Sequence, residues 1–213
     1  MFRPSFHYLT RVFLIWIAFI LPVSANEPVK IVAFGDSLVA GFGLDKGDGF
    51  VPQLQAVIEF SGLDAEIVNA GVSGDTTSGG RSRLDWSVGE DTDAVILELG
   101  ANDMLRGLQP ALVRENLDFM LNRLVNERGL PVLLAGMQAA PNLGEEYAAE
   151  FNAIYPELAE KYGVLLYPFF LDGVAGDTSL NQPDGIHPTV EGVQIIVGRM
   201  LPMVEELIGK AAE

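Results

Sequence analysis

Short, continuous apolar runs alternate along the chain with longer segments in which apolar residues recur at helical spacing. The runs are rich in β-branched and aliphatic residues, and they lie at 31–34, 66–69, 94–99, 132–137 and 164–167. Continuous apolar runs, in contrast to alternating ones, are typical of strands that are covered on both faces of a parallel sheet. We therefore predict five buried strands.

Four helices are predicted between and after these strands, at 50–60, 108–128, 145–161 and 189–208. Proline inside a helix removes a backbone hydrogen bond, so we predict a kink or a break at Pro156 and a bend at Pro202. The alternation of strands and helices predicts a three-layer α/β/α sandwich around a five-stranded parallel sheet, of the flavodoxin-like kind.

The first 25 residues differ from the rest. Two arginines accompany an unbroken run of ten apolar residues at 12–21, and Pro22 and three small residues follow. This pattern predicts an export signal that is cleaved before Asn26, and ten apolar residues are too few for a membrane span of about 20. An uncleaved membrane anchor is the alternative. We expect a signal peptide over 1–25, one domain over 26–213, and a location in the periplasm or outside the cell.

Removal of the signal makes the chain strongly acidic. The remaining 188 of the 213 residues hold all 29 acidic but only 11 of the 13 basic residues, a formal charge of −18. Such a surface repels nucleic acid and anionic membranes, so neither is an expected partner, although the charge can also serve solubility alone. The absence of cysteine excludes disulfides, thiolate catalysis, cysteine metal sites and a lipoprotein anchor.

Polar residues and glycines follow the first three predicted strands, where an open parallel sheet binds its ligands. They read G-D-S-L at 35–38, G-V-S-G at 71–74 and G-A-N-D at 100–103, and D-G-I-H-P follows at 184–188. Each residue has an ordinary alternative role when taken alone, such as a helix cap for the serine or a turn for the others. Their joint placement at successive strand ends favours a reactive site.

His187 is the only histidine outside the presumed signal. A serine nucleophile needs a base that is neutral near pH 7, which histidine supplies. Pro188 biases His187 away from helical geometry, so that it lies at the junction between a loop and the last helix. Asp184, with the permissive Gly185 next to it, can fold back to accept the imidazole N–H.

These four blocks resemble the GDSL or SGNH hydrolases, specifically the bacterial thioesterase, lysophospholipase and arylesterase branch, over essentially the whole mature chain. The resemblance implies that Ser37 is the nucleophile, His187 the general base and then acid, and Asp184 its orienting partner. It implies an oxyanion hole made of the backbone N–H groups of Ser37 and Gly71 and the side-chain amide of Asn102. The family uses no metal or organic cofactor, so none is expected here.

The resemblance implies a hydrolase of carboxylic esters and acyl thioesters that works through an acyl-serine intermediate, and we expect the protein to be a monomer. In this branch the loops that match 72–77 and 137–147 help to form the acyl groove, so we expect Val72, Ser73, Met137 and Leu143 to bind substrate, unless they are ordinary core or loop residues. The charge disfavours anionic acyl-CoA and favours neutral aryl or short- to medium-chain esters. A lysophospholipase, a carbohydrate deacetylase on the same fold and a non-catalytic binding module are the alternatives.

Overall fold

The computed structural model describes residues 1–2 and 27–213. Apart from its first two residues, the export signal predicted over 1–25 lies outside this part of the chain, as does the predicted cleavage site before Asn26. No helix among the described residues combines the length and the apolar character that a membrane crossing requires.

Five parallel strands form one sheet in the order β2-β1-β3-β4-β5, the flavodoxin-like order. The strands are β1 (Val29–Gly35), β2 (Ala65–Gly71), β3 (Ala94–Glu98), β4 (Val132–Ala135) and β5 (Leu165–Tyr167). All five predicted strands are present. The fourth ends two residues before its predicted end, because the chain turns at Gly136, whose N–H still donates to the carbonyl of Tyr167 at 2.8 Å.

Helices cover both faces of the sheet. They are α1 (Ser37–Ala40), α2 (Phe50–Phe60), α3 (Thr77–Ser87), α4 (Ala101–Leu105), α5 (Pro110–Leu121), α6 (Glu145–Tyr162) and α7 (Val190–Ala211). Helix α2 packs on α7, while α5 packs on both α3 and α6. Right-handed crossovers place these two groups on opposite faces, since the chain moves one way from β1 to β2 and the other way from β2 to β5. The predicted three-layer α/β/α sandwich is confirmed.

One predicted helix differs in extent from the structure, and the break that was one option at Pro156 is absent, while the kink at Pro156 and the bend at Pro202 stay predictions. The helix predicted over 108–128 is α5 followed by a π-helical turn at Asn122–Glu127. Helices α6 and α7 continue through Pro156 and Pro202, so the chain does not break at either proline. In α6 the buried side chains of Phe151, Tyr155 and Leu158 hold both sides of the proline against the sheet, which offsets its cost of about 3 kcal/mol.

Helix α3 is absent from the predictions. Its sequence is polar, it contains two adjacent glycines, and only Thr77, Gly80 and Leu84 are buried. It begins with a side-chain cap, in which Thr76 accepts from the N–H of Gly79 at 3.3 Å. Packing against α5, and not an apolar stripe of its own, therefore stabilises this helix.

The register of the sheet brings three strand ends to one edge. Gly35 pairs with Gly71 across β1 and β2, and Phe34 pairs with Leu97 across β1 and β3. The segments that begin at Asp36, Val72 and Leu99 therefore leave the sheet side by side.

Candidate active site

Ser37 is the first residue of α1, directly beyond the end of β1. Asp36 caps this helix by accepting the N–H of Leu38 at 3.0 Å, which leaves the Ser37 hydroxyl free of a capping role. The helix ends after one turn at Gly41, which has a φ of 78°. No acceptor for the Ser37 N–H is found within the part of the chain that the structure describes. Ser37 therefore presents both a hydroxyl and a backbone donor at the edge of the sheet.

Ser37, His187 and Asp184 form a line of hydrogen bonds. The Nε2 atom of His187 lies 2.9 Å from the Ser37 hydroxyl, and its Nδ1 atom lies 2.7 Å from Oδ2 of Asp184. Burial alone would raise the pKa of Asp184, but the His187 ring and two backbone N–H groups, those of Ile186 and His187, hold the pKa below its usual value. An ionised Asp184 fixes the proton on Nδ1, and Nε2 then faces Ser37 as an acceptor.

Gln182 fastens the histidine loop to the loop that follows Ser37. Its backbone N–H donates to the carbonyl of His187 at 2.7 Å. Its side-chain amide donates to the carbonyl of Phe42 at 2.8 Å and to that of Pro188 at 2.9 Å. The bond to Phe42 joins residues that lie 140 positions apart, so the position of His187 relative to Ser37 is fixed by the Gln182 side chain as well as by the imidazole ring itself.

Asn102 lies in α4, beyond the end of β3, and its side-chain amide donates one hydrogen to Oδ2 of Asp36 at 2.9 Å. The following residue, Asp103, is fully buried and accepts the N–H and the hydroxyl of Thr77, each at 2.7 Å. Burial raises the pKa of Asp103, and the bonds from Thr77 oppose that rise. The first turn of α3 thus anchors the segment that carries Asn102.

Gly71 ends β2, and a Cβ atom there would overlap the backbone of Ala40, so only glycine fits this close approach of β2 to α1. Its N–H donates to Oδ1 of Asn69 at 2.9 Å. This donor is therefore engaged within its own turn, and a ligand oxygen would have to share it or displace Asn69.

Arg83 in α3 is a residue of the site that the sequence did not reveal. It donates to the carbonyl of Gly35 at 2.8 Å, to that of Ala70 at 2.8 Å, and to the carboxylate of Asp75 at 2.6 Å. Its guanidinium also lies 4.0 Å from the centre of the Phe34 ring. One side chain thereby joins carbonyls near the ends of β1 and β2 to the loop that follows Gly71.

Two buried carboxyl groups lie directly beneath Ser37. Asp36 and Glu98 are both 0% exposed, and Oε2 of Glu98 accepts the N–H of Asp36 at 3.1 Å. Burial raises the pKa of Asp36 to about 6, against hydrogen bonds from Leu38 and Asn102 that lower it. Burial, together with the charge of Asp36, raises the pKa of Glu98 well above its usual value. Burial thus favours the protonated form of both carboxyl groups, and more strongly that of Glu98, which also faces the charge of Asp36.

The residues predicted to bind substrate lie in different environments. Val72 is 46% exposed beside the strand ends, where its N–H donates to the carbonyl of Gly35 at 3.0 Å, and Ser73 is exposed next to it. Leu143 is half-buried in a short 3₁₀ turn (Pro141–Leu143) against α6. Met137 is 3% exposed and packs in the core. All four follow the carboxyl ends of β2 or β4, and of the four only Val72 and Ser73 are exposed.

A hydroxyl, an imidazole and a carboxylate bonded in series, at the carboxyl end of a flavodoxin-like parallel sheet, are the features of a serine hydrolase. Residues 33–195 match the model of the GDSL-like Lipase/Acylhydrolase family. The chain belongs to this family, and it is an enzyme that hydrolyses ester bonds.

Relatives that cover most of the chain agree with this assignment. The chain is 37% identical to Esterase TesA of Pseudomonas aeruginosa over 193 residues, which cover 90% of this chain and 96% of that protein. It is 36% identical to an arylesterase of Vibrio mimicus over 174 residues, with 81% of this chain and 86% of that protein covered. Among solved structures, the SGNH-hydrolase family esterase AlinE4 is 46% identical and superposes with a TM-score of 0.72, covering 86% of this chain and 98% of its own.

Proposed function

We propose that this enzyme cleaves neutral carboxylic esters by acyl transfer to Ser37, with His187 as general base and acid and Asp184 as the residue that orients it. The observation that carries the proposal is the continuous line of hydrogen bonds from Ser37 through His187 to Asp184. A base that lies within hydrogen-bond distance of the hydroxyl it deprotonates meets the geometric requirement of this chemistry.

The reaction proceeds in two balanced steps. The Ser37 oxygen attacks the ester carbonyl while its proton moves to Nε2 of His187; the bond to the leaving oxygen then breaks, and Nε2 gives that proton to the departing alcohol. Water next attacks the acyl-enzyme, loses a proton to Nε2 and releases the carboxylic acid, and the proton returns to Ser37. The negatively charged Asp184 stabilises the imidazolium that forms in each step.

The oxyanion that forms in each step needs hydrogen-bond donors, and three stand near Ser37. The Ser37 N–H has no acceptor among the described residues, and Asn102 uses one of its two amide hydrogens on Asp36. These two are immediately usable. The Gly71 N–H is the third donor, and it becomes available when the oxyanion competes with the side chain of Asn69. Removal of one such donor typically costs about 3 kcal/mol of transition-state stabilisation.

The substrates that fit best are small aryl and short- to medium-chain esters, with acyl thioesters as a second class that the same steps can cleave. Val72 and Ser73 lie beside the strand ends and supply the acyl side of the site, whereas the buried position of Met137 argues against a direct contact with substrate. We further propose that the protein acts outside the cytoplasm as a monomer, after cleavage of residues 1–25. The sequence pattern of those residues supports export.

Replacement of Ser37 by alanine tests the proposal. Hydrolysis of p-nitrophenyl butyrate and labelling by a fluorophosphonate probe should both fall to background, while the circular dichroism spectrum and the melting temperature stay near those of the wild type. Ser82→Ala is the matched control, because this exposed serine donates only to a carbonyl within α3. Near-normal turnover by Ser37→Ala would refute the assignment.

The preference for neutral substrates has its own test. The formal charge of −18 after signal removal should slow the encounter with anionic acyl-CoA at low salt, and salt should relieve that effect. Between about 10 mM and 0.5 M NaCl, kcat/KM for butyryl-CoA should therefore rise several-fold, while kcat/KM for p-nitrophenyl butyrate stays nearly constant. The same salt response for both substrates would contradict the electrostatic argument.

A further inference from the structure

Phe42 is a large apolar side chain that lies half-exposed against the imidazole of His187. Its ring is 49% exposed, and the centres of the two rings are 4.6 Å apart at an interplanar angle of 37°. Ile186, next to His187 in the chain, is 43% exposed. Phe42 thus lies against the residue that exchanges protons in the proposed mechanism, Ile186 adjoins that residue in the chain, and neither belongs to the hydrophobic core.

The backbone holds Phe42 in a defined position. Gly41 and Gly43 on either side have φ values of 78° and 76°, in the left-handed region that favours glycine. The N–H of Phe42 donates to the carbonyl of Ser37 at 3.1 Å, and its own carbonyl accepts from the Gln182 side chain at 2.8 Å. The ring is therefore presented on a rigid turn, so a ligand that packs against it pays little ordering entropy.

The direction of proton transfer fixes what lies next to this ring. His187 must give its proton to the oxygen of the departing group, so that oxygen comes within about 3 Å of Nε2. Nε2 also lies 2.9 Å from the Ser37 hydroxyl oxygen, and the carbonyl carbon of the ester must approach that same oxygen for the attack. The leaving group therefore projects from the ester on the histidine side of Ser37, which is the side on which Phe42 lies.

We propose that Phe42, together with Ile186, forms a leaving-group subsite that favours planar aromatic alcohols. The inference rests on the function proposed above and specifies one side of its substrate. An aromatic ring gains from an offset or edge contact with Phe42 beyond what its buried area gives, which an aliphatic alcohol of similar size does not. Phe42 is then a specificity-determining residue for the acylation step.

A series of esters with the same acyl group and different leaving groups measures the effect of this subsite alone. Butyrate esters of phenol, 2-naphthol and trifluoroethanol all form the same acyl-enzyme, so the leaving group affects kcat/KM for acylation but not the rate of deacylation. Each ester is compared between variant and wild type, and the intrinsic reactivity of each leaving group cancels in that ratio.

Phe42→Ala should lower kcat/KM for 2-naphthyl butyrate by about 10-fold more than for trifluoroethyl butyrate, with phenyl butyrate between them. The rate of deacylation, measured as kcat where that step is limiting, should change less than about twofold. Phe42→Leu keeps an apolar cover over His187 without the aromatic face, so it should retain activity on trifluoroethyl butyrate and lose part of the aryl preference. Phe60→Ala removes a 94% exposed phenylalanine at the end of α2 and serves as the control.

Two results would overturn the subsite. An equal loss for all three esters in acylation and deacylation would mean that Phe42 only positions or shields His187. Unchanged ratios in both Phe42 variants would mean that the leaving group does not touch the ring. Failure of the broader proposal is separate, since it would appear as turnover by Ser37→Ala and would not depend on the leaving group.

Discussion

Replacement of Arg83 by methionine should destabilise the protein and disturb the edge of the sheet that carries Ser37. Methionine keeps a flexible apolar stem against the Phe34 ring but removes every hydrogen bond of the guanidinium. The carbonyl of Gly35 retains a donor in the Val72 N–H, and the carbonyl of Ala70 lies within the β1–β2 ladder, so both keep backbone partners and the loss falls chiefly on Asp75. Asp75 loses the arginine that pairs with it.

The magnitude follows from how buried the Arg83–Asp75 pair is. The two side chains are 16% and 15% exposed, so the pair is close to the buried case, in which loss of one partner costs about 3–5 kcal/mol. Residual solvent access at Asp75 reduces this figure, and we expect a loss of about 2–4 kcal/mol in the free energy of unfolding. Release of the strand-end carbonyls should also shift the 71–75 loop, and a displacement of about 1 Å near the reacting atoms can lower kcat/KM by about 100-fold.

Urea unfolding followed by circular dichroism measures the stability, and p-nitrophenyl butyrate hydrolysis measures the activity. The stability and the activity of Arg83→Lys should lie between those of the wild type and Arg83→Met. Lysine keeps the positive charge but lacks the planar guanidinium that binds two carbonyls and a carboxylate together. Arg114→Met is the control: its pair with Glu157 is 37% and 59% exposed, so less than about 1 kcal/mol should be lost. The reasoning would be refuted if Arg83→Met lost no more unfolding free energy than Arg114→Met and kept a normal kcat/KM.

Three further predictions concern the residues around Ser37. Because the pKa of Glu98 is raised in the folded state, its stabilising contribution is complete below about pH 4.5 and is lost as pH rises through the folded pKa. The urea midpoint of Glu98→Gln, measured relative to that of the wild type, should therefore increase from about pH 4 to about pH 9. A difference that stays constant over this range would contradict the argument. Asn102→Ala should lower kcat by about 10²–10³-fold with little change in KM, as steady-state kinetics can establish, and a fall below fivefold would exclude the amide as an oxyanion donor. Asp184→Asn should lower kcat by about 10³–10⁴-fold at pH 7, because the amide would turn an N–H towards Nδ1 and favour the wrong tautomer of His187; a normal pH–rate profile for this variant would argue against the orienting role.

Local patterns were sufficient for much of the architecture. Apolar runs gave the five strands, since a strand covered on both faces must be apolar at successive positions. The same patterns did not reveal α3, because its stability comes from packing on α5 and from the Thr77–Asp103 bonds between residues 26 positions apart. They allowed a break at Pro156 that does not occur, because the packing of Phe151 and Tyr155 in the core outweighs the local propensity of proline to end a helix.

Glu98 illustrates a signal that was present but not used. It is a single carboxylate within the apolar run 94–99, and a charge at a position that must be buried calls for a partner or a raised pKa. The sequence could have flagged this residue, but it could not have indicated that Asp36, 62 positions away, shares the site.

The sequence alone determined that a serine, an asparagine and a glycine follow the first three strands, and that a single histidine outside the presumed signal follows an aspartate near the C-terminus. These features are local, since strand periodicity and glycine turns depend on neighbouring residues. Only the tertiary structure decided that His187 lies 2.9 Å from a hydroxyl 150 residues away, that the Gly71 N–H is already engaged by Asn69, and that Arg83 joins two strand ends. Those contacts arise from the order and register of the whole sheet, which no single segment encodes.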